Sequence, residues 1–176
     1  MLLYDFATES LRSQLMMKAI SGPLKGRGLT RLPLLHSTLK GWLTRHSDSL
    51  VLTRDTGYPQ KRYDRNPYSG YEKNTRLMFP VTARDRRLHP KAWVLGVEID
   101  GRFKAYALEA IHEHGVVEDV VAGQQVRVHS DGDGAWAEIA GREVVTTRAF
   151  WFAWYAFHPD TALFDGEYRP PAQAPR

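Results

Sequence analysis

The stretch WFAWYAFHPDTALF, residues 151–164, decides the fold because LKGWLTRHSDSLVL, residues 39–52, repeats its pattern. A constant offset of 112 residues relates the two copies, as it relates His46 to His158. In both copies a large apolar residue recurs at i, i+3 and i+4 with histidine at i+7, which is one face of an α-helix. A polar turn containing Asp follows each helix, and then a short apolar run typical of a strand. The repeat predicts two helices, each packing its apolar stripe on a common sheet.

The clearest strand signal lies between the two copies. Residues 93–99 and 102–106 flank Asp100 and Gly101, and an Asp-Gly pair between strand-like runs favours a type I′ hairpin turn because glycine accepts positive φ. The second repeat helix is predicted to start near Thr147. Other short strands are predicted at residues 2–6, 29–35, 50–53, 77–81, 116–121, 124–129, 135–139 and 143–146.

Together these features predict an α+β fold of short antiparallel strands and hairpins with two principal helices, organised as two related half-units. A chain of 176 residues favours a single domain, placed at residues 1–165 with a flexible tail at 166–176. The 43% hydrophobic and 25% charged fractions are those of a soluble globular protein.

Several classes of protein are disfavoured by composition. The chain has no cysteine, so disulfides, thiolate metal sites and cysteine nucleophiles are absent. No stretch approaches the ~20 apolar residues of a membrane span, and the first residues have neither the basic start nor the long apolar segment of a signal peptide. The sequence leaves the compartment open, since cysteine-free proteins occur in every compartment, although the chain as it stands has the features of a cytoplasmic protein.

The charge is unevenly distributed along the chain. Residues 1–92 carry 17 Lys and Arg against 7 Asp and Glu, a net +10, whereas residues 93–176 carry 7 against 13, a net −6. A basic half of this kind is typical of proteins that bind polyanions such as nucleic acid. The alternative is that the basic half and the acidic half, residues 93–165, face each other within one chain or between subunits of a homo-oligomer.

The best candidate metal ligands are His112, His114 and Asp119, since zinc or copper binds imidazole nitrogens and a carboxylate. Two histidines only two residues apart diverge by about 200° on a helix, whereas on a strand both face one side. The HExxH spacing of metalloproteases is absent because residue 116 is valine. The alternative is a solvated turn between hairpins.

His46 and His158 occupy equivalent helix C-termini, and each precedes an Asp by two residues. Such a pair suits general acid–base catalysis. The duplication favours a structural role instead, because one active site does not need the unit twice.

The loop at residues 61–71 interleaves Lys and Arg with Tyr63, Tyr68 and Tyr71. Tyrosine stacking combined with phosphate contacts from arginine is how single-stranded nucleic acid is held. The alternative is a loop that packs its tyrosines on the domain and leaves its arginines in water.

Specific stretches of the chain resemble an uncharacterised bacterial family, the domain-of-unknown-function family 3179. They lie at residues 5–14 (DFATESLRSQ), 19–26 (AISGPLKG), 63–71 (YDRNPYSGY), 76–81 (RLMFPV), 101–107 (GRFKAYA) and 150–161 (FWFAWYAFHPDT). The resemblance implies two related halves, each beginning with a hairpin like that at 93–106 and ending in the Trp-His-Asp unit.

The resemblance also implies that this chain is a truncated member. Met1 looks like an interior point of the family pattern, before which a Cys-Pro-Leu-Cys motif, an earlier hairpin and often a secretion signal are expected. Arg12, Ala107 and Glu118 stand where the family usually has Trp, Pro and Asn, which weakens any transfer of a site around residues 108–119. The family has no established function.

The sequence therefore predicts a non-catalytic or small-ligand-binding domain for which no cofactor is expected. Its pocket is predicted to gather Lys104, Tyr106, His114 and Asp119, with Tyr63 and Tyr68 of the loop nearby. Two alternatives stay open. One is an enzyme of hydrolase type that depends on a metal or on histidine and carboxylate, and the other is nucleic-acid binding through the basic half.

Overall fold

The fold is described from a computed structural model covering residues 2–53, 55, 57, 68–132 and 134–166. Tyr63, most of the loop at 61–71 and the predicted tail from residue 167 onward lie outside the described residues. In the described part there are eleven strands and three helices, an α+β arrangement as predicted. No helix in that part is long and apolar enough to cross a membrane.

Short strands predominate along the described chain, and the three helices are equally short. The strands are β1 (Leu2–Asp5), β2 (Ser10–Ser13), β3 (Lys18–Ala19), β4 (Trp93–Ile99), β5 (Arg102–Ala107), β6 (Val116–Val121), β7 (Gln124–Ser130), β8 (Ala135–Ile139), β9 (Arg142–Val144), β10 (Thr146–Phe150) and β11 (Ala162–Phe164). The helices are α1 (Leu39–Arg45), α2 (Leu108–His114) and α3 (Trp151–Phe157).

The strands form three sheets. An N-terminal meander has the order β1-β2-β3, the central sheet has the order β10-β4-β5-β11, and a second four-stranded sheet has the order β6-β7-β8-β9. Every pairing among these strands is antiparallel except that β11 runs parallel to β5, with Leu163 opposite Ala105. The predicted hairpin at 93–106 is confirmed as β4–β5. Its turn has positive φ at both Asp100 and Gly101, as a type I′ turn requires.

The main core lies between the central sheet, α2 and the second sheet. Alternate residues of β4, including Leu95 and Val97, are buried there against Ile111 of α2 and Val126 and Val128 of β7. Because side chains of a strand alternate between faces, the residues between them, such as Val94, point to the opposite side. The central sheet is therefore covered on both faces.

Helix α3 covers that opposite face. Trp151 and Trp154 are buried there with Val94 and Ala105. A methyl group added to Gly96 would lie 2.3 Å from the indole ring of Trp154, so the ring lies directly on the backbone of β4. Glycine permits this approach because it has no Cβ.

Lys91 links α3 to the segment at residues 71–76. Its ammonium group, in a residue only 3% exposed, donates to the carbonyl oxygens of Tyr71 at 2.6 Å and Arg76 at 2.7 Å and to Asn74 Oδ1 at 3.0 Å. Burial lowers the pKa of Lys91. The carbonyl of its neighbour Ala92 accepts the amide of Trp151 at 2.8 Å, so this turn also satisfies a free amide at the start of α3.

The helices and caps of the two repeat copies have the same local geometry. The caps at His46 and His158 have φ and ψ of −135° and 69° and of −133° and 66°. The indole of Trp42 donates to Ser49 Oγ at 2.9 Å, and the indole of Trp154 donates to the equivalent hydroxyl of Thr161 at 2.9 Å. The wider prediction of two related half-units stays a prediction.

Two expectations about the helices are corrected. The apolar stripe of the first helix is not buried as that of the second is, since Trp42 is 39% exposed whereas Trp154 is 2% exposed. The second repeat helix starts at Trp151 rather than near Thr147, because residues 146–150 pair with β4 as β10. Pairing with a neighbouring strand overrides the helical tendency of these residues. Helix α2 is a third helix in addition to the two that the sequence predicts.

Three predicted strands are absent from the described residues. Residues 29–35, 50–53 and 77–81 are irregular, although each is an apolar run. A strand needs a neighbour that accepts its backbone hydrogen bonds, and the described residues supply none beyond an isolated bridge between Lys18 and Gly28. Pro33 and Pro80 also lack the amide that a ladder requires.

Candidate functional site

A cavity of about 580 Å³ lies beside β10, which is an edge strand of the central sheet. The segment at residues 31–38 forms one wall, and Gly96 and Glu98 of β4 form another together with Trp154 and His158 of the second repeat copy. Apolar side chains from several elements complete it, among them Leu34, Leu95, Leu108 and Ala135. The cavity thus has an apolar body into which a few polar groups converge, the usual make-up of a small-molecule site.

Arg148 of β10 is the principal cation of this cavity. Its guanidinium donates to His36 Nδ1 at 2.9 Å and lies 4.8 Å from the ring centroid of Trp93. Arginine has only donors, so His36 Nδ1 is the acceptor in this contact. Partial burial lowers the pKa of Arg148, and the charge of Glu72 opposes that shift. Within the described residues, no ion pair joins Arg148 to a carboxylate.

His36 and Arg148 stand at equivalent positions of the repeat, since 112 residues separate them. Each lies on the segment that leads into its repeat helix, α1 or α3. The segments that lead into α1 and α3 therefore contact each other through equivalent residues, and the cavity lies where these two segments meet.

A second polar group is formed by His158 with an ion pair between Arg31 and Glu98. The His158 ring is stacked on Phe103 at 4.1 Å and lies 4.2 Å from the ring of Trp154. Burial lowers the pKa of His158, Glu98 opposes that shift, and Arg31 adds to it. A lowered pKa keeps the imidazole neutral at pH 7. His158 can therefore offer a neutral hydrogen-bonding nitrogen to the cavity.

The structure brings together three of the residues predicted from sequence. Asp119 Oδ2 accepts from Lys104 Nζ at 2.5 Å and from the hydroxyl of Tyr106 at 2.8 Å, while Oδ1 accepts from the amide of Val120 at 2.7 Å. Tyr106 is completely buried. Burial raises the pKa of Tyr106 far above its ordinary value, and the Asp119 charge adds to that effect. This cluster joins β5 to β6 and does not line the cavity beside β10.

The remaining predicted residues lie apart from that cluster. His114 is on α2, where Nδ1 meets the carbonyl of Ala110 at 2.7 Å, and the His112 ring contacts the hydroxyl of Ser130. His112 also lines the cavity beside β10. Tyr68 is exposed, and its carbonyl accepts the amide of Tyr71.

The predicted metal ligands are not gathered. Throughout the described ranges no group of three or more histidine, aspartate and glutamate side chains is placed to hold a metal ion. His112 and His114 are both on α2, where residues two apart diverge around the helix, and Asp119 is occupied by Lys104.

Sequence reasoning missed Arg31, His36, Glu98 and Arg148. Arg31 and Glu98 are 67 residues apart, and neither belongs to a motif. The one available signal was the repeat itself, since continuing the offset of 112 beyond the quoted stretches pairs His36 with Arg148.

Comparison with known proteins identifies a family. The sequence model of the family described as "Protein of unknown function (DUF3179)" matches residues 1–147. Neither the curated proteins nor the solved structures gave a match.

Proposed function

The chain belongs to the DUF3179 family of unknown function, and we propose that it is a ligand-binding domain. Its cavity beside β10 takes a small anionic molecule with an apolar body. The volume of about 580 Å³ falls within the range of roughly 300–1,000 Å³ that holds such ligands.

The observation that carries this proposal is the set of groups that the Arg148 guanidinium contacts. Arg148 is exposed on β10, so its guanidinium is accessible to a ligand from solvent. Among the described residues it forms no ion pair with a carboxylate, and it donates to His36 Nδ1 and lies over an indole ring. A carboxylate or phosphate on a ligand would supply the missing anion, and arginine is well suited to bind either group with two parallel hydrogen bonds.

The other cavity residues support an anionic ligand with an apolar part. Because His36 Nδ1 accepts from Arg148, Nε2 is the nitrogen through which this ring can donate to the same anion. The indole of Trp154 and the leucine side chains provide an apolar wall. Glu98 is already paired with Arg31, so its charge is partly compensated and repels an incoming anion less.

The proposal is tested with matched anionic and neutral probes. Benzoate and phenyl phosphate are each titrated into the 176-residue protein by isothermal calorimetry, with benzamide as the uncharged analogue of benzoate. Saturable binding of an anionic probe is expected, and benzamide should bind at least tenfold more weakly. Arg148→Met keeps the length of the side chain but removes the charge, so it should weaken anion binding about 10- to 100-fold.

Arg142→Met is the matched control, because Arg142 is exposed on β9 and does not line the cavity. Anion binding should be unchanged in this variant. Equal affinity for the anionic and neutral probes, or unchanged anion binding in Arg148→Met, would contradict the proposal.

A further inference from the structure

The cavity beside β10 lies along the edge of the central sheet rather than on one of its faces. Four consecutive residues, 145–148, line it, although side chains of a strand alternate between the two faces. Its other lining residues come from both sides of the sheet, since Leu108 belongs to the core on the α2 side and Trp154 to the core on the α3 side. The cavity therefore follows the outer edge of β10.

That edge of β10 carries unpaired backbone groups. β10 pairs with β4 on one side, and no other backbone hydrogen bond from the described part of the chain reaches residues 146–150. In an antiparallel pair, alternate residues direct their N–H and C=O groups away from the neighbouring strand. Such groups can accept a further strand, which is one way in which domains bind extended peptides.

The other wall of the cavity leaves space for a strand beside β10. Residues 31–38 form this wall and are irregular, and the contact between Arg148 and His36 Nδ1 at 2.9 Å connects them to β10. Leu34 lines the cavity and is nevertheless 75% exposed, so an occupant would cover an apolar side chain that solvent now reaches. The volume of about 580 Å³ is sufficient for a short extended peptide.

The position of Arg148 sets the direction of such a peptide. Arg148 is the last residue of the run 145–148, because residues 149 and 150 do not line the cavity. It also lines a neighbouring cavity of about 660 Å³, so it stands at the end where the first cavity gives way to the second. A peptide whose C-terminal carboxylate binds Arg148 therefore runs from residue 145 towards residue 148, parallel to β10.

We propose that the cavity binds the C-terminal end of a polypeptide, which adds to the central sheet as a strand parallel to β10 with its terminal carboxylate on Arg148. This inference rests on the proposed function, because it takes the bound anion to be a carboxylate and names the kind of molecule that carries it. Successive side chains of the added strand point to opposite faces. One lies towards Leu95 and Leu108 and the next towards Trp154, so the last residues of the ligand are apolar.

Matched tripeptides test the role of the terminal carboxylate. Acetyl-Ala-Val-Leu with a free C-terminus is titrated into the 176-residue protein by isothermal calorimetry, with the C-terminal amide of the same peptide as its uncharged analogue. Saturable binding of the free acid is expected, and the amide should bind about tenfold more weakly. Arg148→Met should remove this preference for the acid, whereas Arg142→Met should keep it.

Two leucines of one segment locate the bound peptide. Leu34 lines the cavity and Leu32 does not, and they are 75% and 76% exposed. Leu34→Ala should weaken binding of the free acid about threefold through the lost apolar contact, and Leu32→Ala should leave it unchanged. Because both side chains are exposed, neither change is expected to unfold the protein, and circular dichroism checks this.

Hydrogen exchange tests the addition of a strand. Saturation with the free-acid tripeptide should slow exchange at amides within residues 146–150, because pairing protects the amides that face the new strand. Saturation with benzoate should leave their exchange unchanged, since benzoate has no backbone to pair.

Failure of this inference can be told apart from failure of the anion site. If benzoate or phenyl phosphate binds through Arg148 and the tripeptide does not bind, the cavity holds a small anion and the peptide proposal is overturned. If none of these probes binds, both proposals fail. Equal binding of the acid and the amide, unchanged binding to Leu34→Ala, or unchanged exchange at residues 146–150 would each overturn the peptide proposal as well.

Discussion

Gly96 is the residue on which the position of α3 depends. The indole of Trp154 occupies the space where any other residue would place its Cβ, and the ring is fixed by its buried hydrogen bond to Thr161 Oγ1. The ring therefore has little freedom to move aside. A substitution of Gly96 should therefore lower the free energy of unfolding through a clash with the Trp154 ring rather than through backbone strain.

Gly96→Ala is expected to lower the free energy of unfolding by about 2 kcal/mol, within the range for overpacking a core. Urea denaturation followed by circular dichroism measures it. In a Trp154→Ala background the same change should cost much less, because the clashing ring is gone. An equal cost in both backgrounds would show that the indole contact is not its source.

At this scale the sequence held a signal for the glycine. An isolated glycine within the apolar run at residues 93–99 indicates a close approach by another group. The sequence did not indicate which group approaches Gly96, because Trp154 lies 58 positions further along the chain. The apolar stripes that contain Trp42 and Trp154 predicted two helices correctly. They did not predict which tryptophan is buried, because Trp154 is buried by packing on the central sheet.

Three hairpins of the two larger sheets share one turn design. Asp100-Gly101, Ala122-Gly123 and Ala140-Gly141 all have positive φ at both positions. Glycine adopts this conformation freely, whereas alanine is strained there because of its Cβ. Two of the three turns therefore carry a residue that is poorly suited to its position.

Ala140→Gly is expected to raise the free energy of unfolding by about 0.5–1 kcal/mol, because it relieves the left-handed strain. The midpoint of urea unfolding should move upward with no change in slope. Ala162→Gly is the control, since Ala162 is also exposed but lies in β11, and there glycine should destabilise. Destabilisation by both changes would contradict this account of the turn.

At the element scale, prediction succeeded where strands are joined by tight turns. The Asp-Gly pair specifies the β4–β5 hairpin locally. It failed for residues 29–35, 50–53 and 77–81, whose apolar character is real but whose pairing depends on a distant neighbour. Residues 147–150 were assigned to the second repeat helix for the same reason, because their partner β4 lies some fifty residues earlier.

The central sheet and the second sheet share the core, and Asp119 joins them through Lys104 and Tyr106. The sequence had also grouped these three residues, which lie on β5 and β6, two strands that follow each other along the chain and are joined by α2. It did not foresee the cavity beside β10, whose Arg31, His36 and Arg148 come from distant parts of the chain. Long-range contacts of this kind leave no local pattern.

Because the phenol of Tyr106 is buried, the free energy of unfolding of the whole molecule depends on pH in the alkaline range. Its folded pKa is raised above the ordinary value of 10.0, so below pH 10 both states keep the proton. Above pH 10 only the unfolded state loses it, and stability falls by up to about 1.4 kcal/mol per pH unit from this group.

Tyr106→Phe should make that fall shallower between pH 10 and 11, although it costs about 1 kcal/mol at pH 7 through the lost hydrogen bond to Asp119. Urea unfolding at several pH values measures both effects. Tyr4→Phe, at an exposed tyrosine, should keep the original slope. Identical slopes in the two variants would rule out Tyr106 as the source.

The buried amine of Lys91 has a practical consequence. Acylating reagents modify lysines that reach solvent, and this amine is covered by the carbonyls of Tyr71 and Arg76. Its labelling rate, read by mass spectrometry, would therefore report how often the 71–76 segment lifts away from the start of α3. The acylation rate of Lys91 thus measures the rate of local opening in the unmodified protein, without a dye or an engineered cysteine.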